Sequence, residues 1–371
     1  MSFNSTIIHN WIGFILSPAF FIICAMDAPL NLQAQLTPER LRCEHLESPL
    51  GIDVTQPRLS WQLRTLTDER GQFQTAWRIL VASSRTTLDC GVGDLWDSGK
   101  VDSDQSILIP YEGEALRSCQ PCWWKVMVWD AQGRPGPWSN PDFWEMALLK
   151  AGDWSAQWIA SSAEESSPPR LEPAPMFRRE FKIAKEIRQS RVYATGLGYF
   201  EMTINGKKVG DHELDPVTSR YDRRVYYLTF DITDHLKSGN NAVGVMLGTG
   251  WFNMHTKAVW GFGQAPWRAR PCMLCQIEIE YVDGMRQRII SDSSWKVSTG
   301  PFILDGIRNG ETYDARLEQE GWDAPNFDDS QWSSASVITG PGGVLSAQML
   351  PPIRTTHILK PKSVTEVQPG V

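Results

Sequence analysis

The sequence has 371 residues, a formal net charge of -7 and a pI near 5.5. This length permits two or three domains, each able to bury its own core. The acidic balance, with Lys and Arg spread along the chain, argues against a nucleic-acid partner. Hydrophobic residues form 42% of the chain, and its 17 Trp outnumber its 8 Tyr, a composition typical of β-sandwich cores.

Residues 1–34 are predicted to form a signal peptide. Residues 11–26 are an apolar run without Lys or Arg, and this run contains Pro18 and is short for a membrane-spanning helix. Ala34 supplies a small residue near the end of the segment, as a cleavage point requires. The sequence therefore predicts a secreted or periplasmic protein that has no membrane segment after cleavage.

Six cysteines remain after removal of the predicted signal: Cys43, Cys90, Cys119, Cys122, Cys272 and Cys275. An even number in an exported protein permits disulfides, and the sequence does not select among the pairings. Four of these cysteines form two C-x-x-C units, each at the entry to a strand-like run, where residues three apart point to opposite faces. Because opposed thiols cannot bind one ion, buried free cysteines are favoured over a zinc site.

Residues 38–150 show short strands separated by turns. Residues 58–63, 76–81 and 123–129 each have strand length, and the first of these runs alternates apolar and polar residues. The third run leads through a turn to Pro137-Trp138-Ser139. Strands at this spacing without helical periodicity predict an antiparallel sandwich, and the order of strand, turn and Pro-Trp-Ser resembles fibronectin type III domains.

A second strand-rich unit is predicted over residues 176–345, after a Pro- and Ser-bearing linker at residues 151–175. Within this unit Asn205-Gly206 separates two alternating runs and predicts a tight hairpin, because both residues tolerate the positive φ of a type I′ turn. Residues 346–371 are predicted to be the start of a truncated following domain. The predicted fold class is all-β, with two successive sandwiches and no long amphipathic helix.

Seven short segments of the second unit occur in a distinctive order: residues 196–201 (GLGYFE), 204–211 (INGKKVGD), 214–216 (LDP), 221–225 (YDRRV), 230–233 (FDIT), 247–253 (LGTGWFN) and 310–316 (GETYDAR). Together they resemble the N-terminal β-sandwich domain of bacterial α-L-rhamnosidases, and the preceding unit is similar to the fibronectin-like domain of the same enzymes. The resemblance implies that the second unit is a jelly-roll (galactose-binding-like) sandwich.

In that family the resemblance implies that catalysis belongs to a downstream (α/α)6 helical barrel with an inverting pair of carboxylates. Such a pair must be separated by roughly 6.5–9.5 Å to admit the attacking water. The sequence contains no series of paired amphipathic helices from which such a barrel could form. The chain alone is therefore predicted to be inactive, and no catalytic residue is assigned.

Two loops of the second unit supply the aromatic and polar groups that a sugar site needs. The candidates are Asp215, Arg220, Asp222 and Arg224 on one loop and Trp251, Asn253, His255 and Trp260 on the other. An alternative is that Asp222 and Arg224 form a surface ion pair and that Trp251 covers the core.

Two further sets of residues are weaker candidates. The sequence assigns no cofactor and no metal. Calcium is the alternative, because some related rhamnose-binding modules carry it, and Asp211, Asp215 and Asp222 could contribute oxygen ligands, although the spacing is not that of an EF-hand. The last family segment offers an interface with the catalytic barrel, or alternatively internal ion pairs, through Glu311, Tyr313, Asp314 and Arg316.

Three functions follow from these observations. The leading hypothesis is the accessory, carbohydrate-binding N-terminal part of a secreted α-L-rhamnosidase that acts on rhamnose-containing glycans, together with a separately encoded catalytic domain. The alternative is a self-sufficient, lectin-like protein, and titration with L-rhamnose and rhamnogalacturonan fragments separates binding from a purely structural role. The third is a glycosidase formed by these domains alone, for which turnover of p-nitrophenyl α-L-rhamnoside is the test.

Overall fold

A computed structural model describes residues 36–65, 70–161, 172–255, 260–366 and 368. The predicted signal peptide, residues 1–34, lies outside these ranges. Within them the chain forms two β-sandwiches, which confirms the all-β prediction. No helix among the described residues is both long and apolar enough to span a membrane.

The first sandwich occupies the N-terminal part of the described chain. Its strands are β1 Leu36–Cys43, β2 Leu50–Ile52, β3 Arg58–Thr65, β4 Ala76–Ala82, β5 Trp96–Asp97, β6 Val101–Asp102, β7 Ile109–Pro110, β8 Pro121–Trp129 and β9 Asp142–Met146, with helix α1 at Arg85–Asp89. One sheet has the order β1-β3-β7, and the other has the order β2-β9-β8-β4-β5, with β6 also paired to β4. The three runs singled out in the sequence correspond to β3, β4 and β8.

Tryptophan side chains fill the space between these two sheets. Trp124 of β8 and Trp144 of β9 are fully buried, and their rings meet edge to face with centroids 6.4 Å apart. Buried and half-buried residues alternate along β8, as expected of a strand with one face on a core. In this sandwich Trp side chains therefore form part of the buried core, as the composition predicts.

The second sandwich contains the remaining strands. They are β10 Ile159–Ala160, β11 Pro175–Ile183, β12 Ile187–Leu197, β13 Phe200–Ile204, β14 Lys207–Lys208, β15 Arg224–Asp231, β16 Gly239–Leu247, β17 Cys272–Tyr281, β18 Arg286–Ile290, β19 Lys296–Thr299, β20 Phe302–Leu304, β21 Thr312–Tyr313, β22 Ser333–Ser334, β23 Ser336–Val337 and β24 Val344–Ala347. Short 3-10 helices lie at Ala151–Asp153, Thr233–His235, Phe262–Gln264 and Ala315–Leu317.

Two large sheets face each other in the second sandwich. One has the order β23-β10-β17-β12-β15-β24, with β18 also paired to β17, and the other has the order β14-β13-β16-β11-β19-β22. Phe177, Val192, Val245, Ile277 and Trp295 are among the buried residues of the core between them. Strands β20 and β21 form a separate hairpin beside this core.

The hairpin predicted at Asn205-Gly206 connects β13 to β14. Asn205 has φ 53° and Gly206 has φ 77°, the two positive values that a type I′ turn requires. Ile204 pairs with Lys207 directly across the turn. The turn type and its position are therefore confirmed.

The second sandwich begins earlier in the chain than the predicted linker at residues 151–175 allows. Ile159 and Ala160 form β10 inside that range, and Ile159 pairs with Met273 on one side and with Val337 on the other. Both residues of β10 are fully buried, so this part of the chain is an element of the sheet. At the other end, β24 runs past the predicted boundary at residue 345 and ends at Ala347.

Among the described residues, Cys43, Cys90, Cys119, Cys122 and Cys275 are free thiols. Cys272 and Cys275 are both buried in β17 but belong to different apolar clusters, because residues three apart in a strand face opposite sides. Cys119 and Cys122 are likewise divided between two clusters. The two cysteines of each C-x-x-C unit therefore face different sides of their strand or its entry.

A buried ion pair joins the two sandwiches. Arg191 of β12 donates from Nε and Nη2 to the two carboxylate oxygens of Glu145 of β9, with both distances 2.9 Å, and the Glu145 side chain is only 2% exposed. Next to this pair Leu148, Tyr193 and Tyr227 form an apolar contact across the junction. The relative position of the sandwiches is therefore set by packed side chains and not by the linker alone.

Candidate functional site

A group of three aromatic rings, of which Trp260 is exposed and Trp251 and Phe262 are half-buried, follows β16 in the second sandwich. The Trp251 ring lies 6.1 Å from Trp260 and 5.2 Å from Phe262, measured between centroids, and Trp260 lies 5.9 Å from Phe262. Trp260 is 67% exposed, which is unusual for so large an apolar side chain. Exposed indole faces of this kind can stack against the apolar side of a pyranose ring.

The loop that carries Trp251 is held by backbone and carboxylate contacts. The Gly198 N–H donates to the Gly248 carbonyl at 3.1 Å. The Thr249 N–H and hydroxyl both donate to the carboxylate oxygen Oδ1 of Asp305, at 2.7 and 2.5 Å. Gly250 has φ 47°, a conformation that glycine adopts without strain. The loop therefore presents Trp251 from a fixed backbone.

A small pocket, called the Trp pocket below, opens beside these rings. Its volume is about 120 Å³, and its polar lining includes His255, Asp305, Arg308 and Asn309. The Arg308 guanidinium carbon lies 5.9 Å from the Trp251 ring centroid and 5.8 Å from that of Trp260. The pocket thus has a cation and a histidine in its wall, and the cation connects it to two neighbouring indoles. Such a mixture suits a polar ligand with an apolar face.

His255 is held in a defined orientation at this pocket. Arg268 Nη2 donates to His255 Nδ1 at 3.2 Å, and His255 Nε2 is buried without a hydrogen-bond partner among the described residues. Burial, and then the positive charge of Arg268, lower the pKa of the imidazole below its ordinary value. The ring is therefore neutral at pH 7, with its proton on Nε2.

The rings continue from the surface into the core. Phe262 lies 6.4 Å from Trp267, Trp267 lies 6.0 Å from Tyr221, and Tyr221 meets the buried Phe252 edge to face at 5.2 Å. Tyr221 belongs to the loop between β14 and β15 on which four sugar-site candidates were placed. The two candidate loops therefore share a wall of aromatic side chains.

The polar candidates of the loop between β14 and β15 all have partners within the protein. The Asp215 carboxylate is buried, and it contacts His212 Nδ1 at 2.8 Å and accepts from Gln348 Nε2 at 2.9 Å. Arg220 and Asp222 form an exposed ion pair at 3.0 Å. The Arg224 guanidinium lies over the Tyr226 ring at 5.9 Å, and this contact replaces the expected alternative of an Asp222–Arg224 pair.

Asn253 supports the site from inside. Its side chain is 1% exposed, and Oδ1 accepts from Arg268 Nε at 3.2 Å. Because Arg268 in turn donates to His255, Asn253 positions the histidine through the arginine. Of the sequence-predicted sugar residues, the structure brings Trp251 and Trp260 together at the surface and places Asn253 behind them.

Each of the three candidate calcium ligands contacts a basic side chain. Asp211 pairs with Arg354 at 2.8 Å, whereas Asp215 contacts His212 and Asp222 pairs with Arg220. In the ranges that the structure describes, no group of three or more His, Cys, Asp or Glu side chains is arranged to hold a metal ion. Calcium remains an expectation of the sequence alone.

The candidate interface residues lie on the exposed hairpin β20–β21 and just beyond it. The Tyr313 hydroxyl donates to Glu318, and its ring packs on Phe302 with centroids 4.9 Å apart. Arg316 pairs with Asp314 at 2.5 Å, and the hydrogen bond from Arg316 holds the pKa of the Asp314 carboxyl below its ordinary value. Glu311 is exposed beside them. Tyr313, Asp314 and Arg316 therefore pair with neighbours inside the second sandwich. An interface with a catalytic barrel stays a prediction.

Three residues of the site were missed by sequence reasoning: Phe262, Asp305 and Arg308. Arg308 lies 48 positions after Trp260, and Asp305 lies in a separate loop before β21. One signal in the sequence could have indicated these two residues. Polar and charged side chains are concentrated at residues 305–309 (DGIRN), directly before the family segment at 310–316. Only the fold shows that this loop meets the one after β16.

Two family models match the chain. The model "Rha78A-like, N-terminal immunoglobulin domain" matches residues 38–150, and the model "Alpha-L-rhamnosidase N-terminal domain" matches residues 185–357. Immunoglobulin and fibronectin type III domains share the sandwich architecture, so the first match agrees with the predicted fold. The second match covers the β-sandwich that carries the Trp pocket.

Comparison with whole proteins gives the same result. An α-L-rhamnosidase of Formosa agariphila is 35% identical over 362 residues, which cover 92% of this chain and 38% of that protein. The solved α-L-rhamnosidase of Dictyoglumus thermophilum superposes with a TM-score of 0.81 at 38% identity, covering 90% of this chain and 38% of that one.

A solved Streptomyces avermitilis α-L-rhamnosidase, in complex with L-rhamnose, gives a TM-score of 0.83 at 26% identity and covers 90% of this chain and 48% of that one. The chain therefore spans less than half the length of each of these relatives. Its two sandwiches match the N-terminal immunoglobulin-like and β-sandwich domains of α-L-rhamnosidases.

Proposed function

We propose that the chain is the accessory, carbohydrate-binding N-terminal part of a secreted or periplasmic α-L-rhamnosidase. In this proposal the second sandwich binds a rhamnose-containing glycan at the Trp pocket, and hydrolysis belongs to a catalytic domain with which the two sandwiches act. The first sandwich and the buried Glu145–Arg191 pair hold the binding surface in a fixed position.

The observation that carries this proposal is the ring pair of half-buried Trp251 and exposed Trp260, beside a pocket whose lining includes polar side chains. A stable fold gains nothing from leaving Trp260 67% exposed, whereas a sugar-binding surface needs such a face. The neighbouring His255 and Asn309 supply groups that can hydrogen-bond to sugar hydroxyls. The family relationship identifies rhamnose-containing glycans as the ligands to test first.

Replacing Trp260 with Ala is expected to weaken glycan binding about 10-fold, because the variant loses a ring face worth roughly 1–2 kcal/mol in stacking. Isothermal titration of the chain with L-rhamnose and with rhamnogalacturonan oligosaccharides measures the dissociation constant. Trp260→Ala should fold normally, since its side chain contributes little buried area.

The matched control is Phe73→Ala, which removes an exposed aromatic ring from the first sandwich. This control should bind the oligosaccharides as tightly as the unmodified chain. If the unmodified chain releases no heat with any rhamnose-containing ligand, the two sandwiches have a purely structural role. Equal losses in both variants would place the binding surface elsewhere.

A further inference from the structure

Arg308 is the cationic group that lines the Trp pocket in the described part of the chain. Its guanidinium lies over the Trp251 and Trp260 rings, and among the described residues it has neither an ion pair nor a hydrogen bond. The four sequence positions 256–259, between the two parts of this loop, contain no Asp or Glu. Arg308 is exposed, so a ligand anion can reach its guanidinium N–H groups.

The acidic side chain in the pocket is already occupied. The Asp305 carboxylate accepts from the N–H and the hydroxyl of Thr249, which fixes the loop before Trp251. No ion pair joins Asp305 to Arg308 in the ranges that the structure describes, where the Asp305 side chain contacts Thr249. The positive charge of Arg308 is therefore available to a ligand.

His255 adds a second donor to the same pocket. Because Nδ1 accepts from Arg268, the ring proton is on Nε2, and Nε2 is buried without a partner among the described residues. A buried donor without an acceptor costs free energy, and a ligand oxygen removes that cost. The side-chain donors Arg308 and His255 together favour a ligand that brings acceptor oxygens.

We propose that the Trp pocket selects rhamnose-containing glycans that carry a carboxylate, such as chains in which rhamnose alternates with a uronic acid, and that Arg308 binds this carboxylate. The planar guanidinium presents parallel N–H groups that match the two oxygens of a carboxylate. The indoles then stack on the sugar ring that bears it. This inference rests on the proposed function, and it specifies that the bound glycan is negatively charged.

The test compares a rhamnogalacturonan oligosaccharide with the same oligosaccharide after reduction of its carboxyl groups to primary alcohols. These ligands have the same sugar sequence and linkages, and they differ in that a neutral hydroxymethyl group replaces each carboxylate. Isothermal titration should give about 10-fold tighter binding of the native oligosaccharide to the unmodified chain, a difference that decreases as salt is added. In Arg308→Met, which keeps the apolar stem over the indoles, the two ligands should bind equally.

Arg188→Met is the matched control, because Arg188 is an exposed arginine of the same sandwich that is paired with Glu280. It should keep the full preference for the native oligosaccharide. If the unmodified chain binds both ligands equally, or if Arg308→Met keeps the preference, the role of Arg308 is wrong while the glycan-binding function stands. If neither ligand binds, the proposed function itself fails.

Discussion

Arg191→Met is expected to destabilise the protein by about 3–5 kcal/mol, because it leaves the Glu145 carboxylate buried without its counter-charge. Arg191 contacts both oxygens of Glu145 and also pairs with Asp231 at 3.0 Å. Because Glu145 lies in the first sandwich and Arg191 in the second, the substitution weakens the junction between the two sandwiches. Urea denaturation at pH 8 measures the change in the free energy of unfolding.

The same variant should show a characteristic pH dependence. Burial raises the pKa of Glu145 above its ordinary value, while Arg191 opposes that shift. Without Arg191 the folded-state pKa rises further, and a carboxyl whose pKa is raised on folding loses stability as pH increases from its unfolded to its folded pKa. The free energy of unfolding of Arg191→Met should therefore be closest to that of the unmodified chain at about pH 4.5, and the difference should be largest at pH 8.

Arg188→Met again provides the control, because its guanidinium is 67% exposed and its pair with Glu280 lies at the surface. Its unfolding free energy should change by about 0.5 kcal/mol or less. An Arg191→Met variant that lost no more than this control, or whose loss did not vary with pH, would show that the sandwiches do not depend on the buried pair.

Gly198→Ala is expected to weaken glycan binding about 10-fold and to cost about 1–3 kcal/mol of stability. A Cβ at this position would lie 2.2 Å from the Thr249 carbonyl oxygen and 2.6 Å from the Gly250 nitrogen. Both are backbone atoms, so the loop that carries Trp251 must shift. Titration with a rhamnogalacturonan oligosaccharide and thermal unfolding measure the two effects.

Gly152→Ala is the matched control, because a Cβ there meets no atom within 4 Å. It should retain the affinity and the stability of the unmodified chain. A folded Gly198→Ala protein that bound the glycan with unchanged affinity would show that the position of Trp251 is not set by this contact.

Much of the fold could be predicted from local sequence. The runs that form β3, β4 and β8 have strand length, and the β3 run also alternates apolar and polar residues. Asn205-Gly206 specifies its turn through the φ values of two residues. The linker prediction failed at β10, because two residues carry too little periodicity to reveal a strand that is stabilised by distant partners. Such a strand depends on tertiary contacts, which no local pattern contains.

The site was only partly predictable for a related reason. Trp251 and Trp260 were found because aromatic residues in a Gly-rich loop are informative by themselves. The roles of the polar candidates were harder to predict, because their partners can be distant in sequence. The Asp215 carboxylate contacts His212 and accepts a hydrogen bond from Gln348, which is 133 positions away. Arg308 joins the site through a loop that only the fold brings next to Trp251.

The central claim is that a rhamnose-containing glycan binds at the Trp pocket. The most direct measurement follows the indole N–H resonances of ¹⁵N-tryptophan-labelled protein during titration with a rhamnogalacturonan oligosaccharide, with Trp251→Phe and Trp260→Phe used for assignment. We predict that the Trp251 and Trp260 signals shift with saturation while the signal of Trp124, in the core of the first sandwich, stays in place. Unchanged Trp251 and Trp260 signals at saturating glycan would contradict the claim.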